Sequence, residues 1–129
     1  MVYQLGAVVW VDLEGFRGHE QGWPKNGRGF RPCVVVSKAS SDDMYIVVPC
    51  TATGRINPGD VAVKITKPSW ARCRHARSVD LRAVSHRQSC EILNPRCHMY
   101  RNESVDREDL KEILQGVRDN IVDDASISP

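Results

Sequence analysis

The side chains able to do acid–base or phosphate chemistry crowd into two stretches. Residues 14–30 interleave Arg17, His19, Glu20, Trp23, Lys25 and Arg28 with Gly15, Gly18, Gly22, Gly27, Gly29 and Pro24. Residues 68–86 carry Arg72, Arg74, Arg77 and Arg82 against one acid, Asp80, with His75 among them. A guanidinium is a permanently charged planar fork that matches two phosphate oxygens, and free histidine titrates near ~6.5, close to neutral pH. An aromatic ring offers a face for a base to stack on. On a glycine-hinged loop this set suits contact with a nucleic acid; the plainer alternatives are a passive surface insertion and a solvated charge run. Compact domains rarely keep a structureless connection beyond roughly 12–15 residues unless it has a task, and 14–30 exceeds that.

Overall charge is a weaker guide. Eighteen Lys plus Arg against sixteen Asp plus Glu leave a net +2, too little to demand a polyanionic partner. Distribution says more: residues 118–124 hold three acids and one base. If folding brings the arginine stretch beside Arg28 and Arg31, a basic surface forms with an acidic edge elsewhere.

The five cysteines, Cys33, Cys50, Cys73, Cys90 and Cys97, are an odd number without a secretion signal, so reduced thiols are expected. No CxxC pair occurs, and Cys73-x-His75 with Cys97-His98 lacks a zinc-finger spacing, so neither a metal nor another cofactor is expected. Cys33 and Cys50 sit inside apolar runs and read as small core residues. The longest apolar runs, 7–11 and 45–48, fall far short of the roughly 20 residues that span a bilayer, which points to a cytoplasmic protein without a membrane partner.

The elements that must position these groups are mostly strands. At 129 residues with 41% hydrophobic and 26% charged content, the chain reads as one globular domain, its core about 5–122 and its tail 123–129 frayed. Residues 6–13 alternate so that Val9, Val11 and Leu13 share a face. Residues 32–37 and 44–50 are compact apolar runs separated by polar turn material. Asn57-Pro58-Gly59-Asp60 marks a turn before a half-exposed strand over 61–65. A fifth strand is expected over 69–74, a brief helical turn over 80–84 and a short strand over 90–93. Leu110, Ile113, Leu114, Val117 and Ile121 follow a helical period, capped by Ser104 or Asp106. Strands at short intervals followed by one terminal helix predict a mainly β fold: a small antiparallel barrel or curled sheet with the helix packed on it.

Several segments, in order, resemble the MazF/PemK/Kid family of toxin endoribonucleases from toxin–antitoxin pairs. Gly6-Ala7-Val8-Val9-Trp10-Val11-Asp12 resembles the family's opening strand and Gly18-His19-Glu20-Gln21 its first loop. Arg31-Pro32 followed by Cys33-Val34-Val35-Val36-Ser37 resembles the second strand, and Val48-Pro49-Cys50-Thr51 the end of the third. Arg77-Ser78-Val79-Asp80 is similar to an Arg/Lys-Ser/Thr-Ile-Asp segment. The resemblance covers about 5–122 and implies an SH3-like barrel, a homodimer, metal-independent cleavage of single-stranded RNA, and neutralisation by a cognate antitoxin. It also implies site residues: Arg31, Thr51, Glu20, His19 and Arg72. Kid-like members carry an aspartate two residues after the last of these, where this chain has Arg74. The first loop is longer by residues 23–29, and 96–101 looks inserted.

Metal-free RNA cleavage needs a base for the 2′-hydroxyl, donors for the charge that develops on phosphorus, and an acid for the departing 5′-oxygen. Arg31 and Arg72 suit the donors. Glu20 or His19 suits the base, Thr51 can orient the phosphate, and His75 is an alternative acid. Arg17, Trp23, Arg28, Arg74, His75 and Arg77 suit RNA binding. Each has a plainer reading: an ion-paired Arg31, a Thr51 that ends a strand, a Glu20 bridged to Arg17 or Arg28, surface histidines, and a Trp70 in the core or a dimer interface. The competing function on the same fold is a non-catalytic binding module or a gyrase-type poison.

Overall fold

β-branched and aromatic residues fill the runs that pair, as the pleated surface favours. In a computed structural model, residues 3–12, 30–38, 42–52, 56–65, 68–81 and 98–121 are described. Among them the strands are β1 (Ala7–Asp12), β2 (Phe30–Val35), β3 (Met44–Thr51), β4 (Asp60–Lys64), β5 (Pro68–Arg72), β6 (Arg77–Asp80) and β7 (His98–Ser104), followed by helix α1 (Arg107–Ile121). They form a seven-stranded antiparallel sheet ordered β4-β5-β3-β2-β1-β7, with β6 also on β3. The fold is mainly β, a curled half-barrel with one C-terminal helix, as the sequence pattern requires.

Both faces of the central strands are buried. Ala7, Val9 and Val11 join Cys33, Val35, Val47 and Val79 in one cluster, while Val8 joins Val34, Val48, Cys50, Ala71 and Ile113 in another. The second cluster lies beneath α1, which buries Ile113 completely and packs Leu110 and Val117 against it. Burying a side chain of that size contributes roughly 1.5–3 kcal/mol each. Asp106 caps the helix, its Oδ1 accepting the Asp109 N–H at 2.8 Å; Ser104 belongs to β7.

β3 organises the rest. One edge pairs with β2 (Cys33↔Pro49, Val35↔Val47). The other takes β6 (Met44↔Asp80, Val47↔Arg77) and then β5 (Cys50↔Ala71, Thr51↔Trp70). The chain gains extra residues between these two pairings, and a 3-10 turn at Cys73–His75 absorbs them.

The structure corrects several expectations. The fifth strand ends at Arg72, where the 3-10 turn begins. Asp80 is not in a helical turn but ends β6, held by pairing with Met44. Residues 98–104, to which the sequence pattern assigned no element, form β7, an edge strand on β1 whose register shifts between Val8 and Val9. The strand expected over 90–93 and Leu13 lie outside the described residues.

Candidate functional site

Strand alternation puts Arg31, Thr51, Arg72 and Arg77 on one face of the sheet. Arg31, the second residue of β2, lies opposite Val11, and its strand neighbour two residues on, Cys33, is in the cluster holding Val9 and Val11. Continuing the β2–β3 register two residues beyond Cys33↔Pro49 sets Arg31 across from Thr51. Thr51 in turn opposes Trp70, whose alternation partner Arg72 projects from the same face of β5. Arg77 opposes Val47, again on this face.

The electrostatics follow from this placement. Burial pushes the Cys33 thiol up to about 12, opposed by Arg77 first and Arg31 second, so both guanidinium groups lie near that sulfur. Arg31 is half-buried, and desolvation holds its pKa below the ordinary value, with Cys33 acting the other way. Thr51 is buried; Trp70, Arg72 and Arg77 are half-exposed.

The 3-10 turn brings in a second group. Arg77 Nε donates to the His75 carbonyl at 3.2 Å. Burial lowers the His75 pKa below 6.5, reinforced by Arg72 and Arg77 and more weakly by Arg74, while Asp60 opposes the shift. Asn57, Pro58, Asp60, Arg74 and His75 line an open cleft of about 390 Å³. Arg74 is exposed there, its stem against Gly59, where a Cβ would meet Arg74 Cγ at 2.9 Å; Gly59 also has φ +89°, which glycine tolerates best.

Arg31, Thr51, Arg72 and Arg77 thus share one face, with His75 in the turn next to Arg72 and Arg77, and Arg74 in the same turn against Gly59. Arg17, His19, Glu20, Trp23 and Arg28 lie outside the described residues. Sequence reading missed Asp60, whose Oδ2 lies 3.2 Å from Arg72 Nη1. The signal was available: β4 and β5 form a hairpin with Asp60↔Arg72 as its last pair, opposite charges directly across two strands.

A curled antiparallel sheet with one terminal helix is a fold shared with solved MazF structures. The chain belongs to the PemK-like, MazF-like toxin family of type II toxin–antitoxin systems, which matches residues 4–121. Among solved structures, MazF (Form-I) from Deinococcus radiodurans is similar at TM-score 0.67 and 22% identity, over 92% of this chain and 96% of that one. A MazE–MazF structure (Form-II) from the same organism is similar at TM-score 0.62 and 18% identity, over 92% and 94%. No curated protein matched the chain. Among the described residues, no helix is long and apolar enough to cross a membrane.

Proposed function

We propose that this toxin is a metal-independent endoribonuclease that cuts single-stranded RNA to a 2′,3′-cyclic phosphate. The observation that carries the reading is the convergence of Arg31, Thr51, Arg72 and Arg77 on one face of the sheet. In the reaction a base takes the 2′-hydroxyl proton, O2′ attacks phosphorus, the P–O5′ bond breaks, and an acid protonates the departing O5′. Arg31 and Arg72 donate to the non-bridging oxygens, where charge develops in the transition state, and Thr51 orients the phosphate by hydrogen bonding. Because its surroundings favour the neutral imidazole, His75 suits the base better than the acid role its sequence context suggested; Glu20 and His19 remain loop candidates for either proton. Arg74 and Arg77, with Arg17, Trp23 and Arg28, bind the strand.

The partners follow the same reading. A cognate antitoxin covers the site, as the MazE–MazF pairing of the similar Deinococcus structure suggests. A second copy of the chain covers exposed apolar sheet surface, to which Met44 and Ile46 contribute.

The deciding experiment incubates purified protein with mixed RNA in EDTA and maps the ends. Cyclic phosphates at a short recurrent sequence are expected. Intact RNA, or cleavage only with added divalent metal, overturns the reading, and intact RNA is the outcome expected of a binding module or gyrase-type poison. Light scattering at micromolar concentration should give about twice 14.5 kDa.

A further inference from the structure

Asp60 enters the sequence only as the end of a turn, yet its side chain is nearly fully buried. Its side chain is 3% exposed, and Oδ2 accepts from two donors, the Asn57 backbone N–H at 2.7 Å and Arg72 Nη1 at 3.2 Å. The Asp60 N–H returns to the Asn57 carbonyl at 3.0 Å, so the turn is closed from both sides. The carboxylate is therefore fixed to backbone on one side and grips a guanidinium on the other.

Stability alone is a poor reason for this arrangement. A buried ion pair often contributes no more than apolar residues of the same volume, because both charges must be stripped of water. Asp60 also sits in the wall of the cleft shared by His75, Arg74, Asn57 and Pro58. That cleft falls in the size range of small-ligand sites, roughly 300–1,000 Å³. Among the described residues, the charges acting on His75 come from Arg72 on β5, Arg77 on β6, Arg74 in its own turn and Asp60 on β4. Asp60 is the carboxylate in that set.

We propose that Asp60 is a positioning residue for RNA cleavage: anchored by the Asn57 amide, its carboxylate aims the Arg72 guanidinium and balances the arginines around the His75 imidazole at the cleft. This rests on the nuclease reading. A fixed guanidinium loses less freedom when it binds the transition state than one that must be collected from solvent, so Asp60 acts on the rate of the chemical step more than on RNA affinity.

Asp60→Asn is nearly isosteric and keeps an oxygen for the Asn57 amide, while Asp60→Glu keeps the charge. Single-turnover cleavage of RNA, RNA affinity and NMR titration of His75 are measured on the full-length parent and both variants. Asp60→Asn should lower the maximal rate 10- to 100-fold, change affinity less than threefold, and move the His75 titration to lower pH; Asp60→Glu should restore that titration and part of the rate. A folded Asp60→Asn protein with parental rate and parental His75 titration overturns the assignment. If the parent leaves RNA intact, the nuclease reading falls and the NMR titration alone decides whether Asp60 balances His75. If Asp60→Asn does not fold, the parent's Arg72 guanidinium signals decide: slow rotation and protection from exchange at neutral pH support the assignment, and free rotation overturns it.

Discussion

Gly116 of α1 rests directly on Cys73 of the 3-10 turn: a Cβ at position 116 would stand 2.7 Å from Cys73 Sγ and 3.2 Å from Val61 Cγ2. The same sulfur lies 3.7 Å from the Ile113 carbonyl. Absence of a side chain at 116 lets the helix press onto the segment that presents Arg74 and His75, so a helix remote in sequence sets the height of the site.

Gly116→Ala should therefore destabilise the protein although alanine is the better helix former. The propensity gain is about 1 kcal/mol, whereas forcing a methyl into a packed contact costs roughly 1–3 kcal/mol. We expect a net loss of about 1 kcal/mol in urea unfolding. Adding Cys73→Ala makes room, so Gly116→Ala should be neutral or stabilising in that background; equal losses in both backgrounds would refute the contact.

Arg31→Ala should abolish RNA cleavage while the protein stays folded. Loss of a donor aimed at developing charge typically costs about 10²- to 10³-fold in rate. Arg31→Lys keeps the charge but not the planar fork and should rescue poorly. A folded Arg31→Ala protein that cuts RNA within threefold of the parent's rate contradicts the role, and loss of both activity and melting temperature marks Arg31 as a structural ion-pair partner.

His75 should make both stability and cleavage sensitive to acid. Its folded pKa lies below the ordinary value, chiefly through burial and then through Arg72 and Arg77. The unfolded chain therefore binds the proton first as pH falls. The stabilisation is fully present above about pH 6.5 and is lost as pH drops toward the folded pKa. Urea midpoints at pH 7.5 and pH 5 should differ less in His75→Gln than in the parent, and the acidic limb of the cleavage profile should lie below pH 6.5.

Cys33, Cys50 and Cys73 should resist alkylation in the native protein. Burial raises the Cys33 thiol to about 12, Cys73 to about 11 and Cys50 well above its ordinary value. The reactive thiolate is scarce at pH 8 and shielded where it forms. Iodoacetamide at pH 8 followed by peptide mass mapping should label these three sites only after denaturation.

The central strands and α1 are legible in the sequence because burial leaves a periodic signature, as at Val9 and Val11 or Leu110, Ile113 and Val117. β7 is not, because the residues Arg101-Asn102-Glu103-Ser104 form part of a polar edge strand held mainly by backbone pairing with β1, and hydrophobic period cannot report that. β6 was hidden by its brevity: four residues stand as a strand only because Tyr45 and Val47 pair with them. Arg31 and Thr51 were identified by resemblance, their shared face by the register. Asp60 was obscured by a turn motif that explains its type without its partner, which lies twelve residues away in sequence.

The pairing of β1 with β7 joins Ala7 to Ser104, and this has a consequence during synthesis. A ribosome releases the opening strand long before the strand that covers its outer edge exists. Until residues 98–104 emerge, β1 presents an unpaired row of backbone donors and acceptors, and its closing contact carries the loop-closure cost of nearly the whole chain. A message truncated before His98 yields a polypeptide with the arginine-bearing strands but an open sheet edge, prone to pair with other chains. Sheet completion in this toxin is thus tied to translation through Ser104.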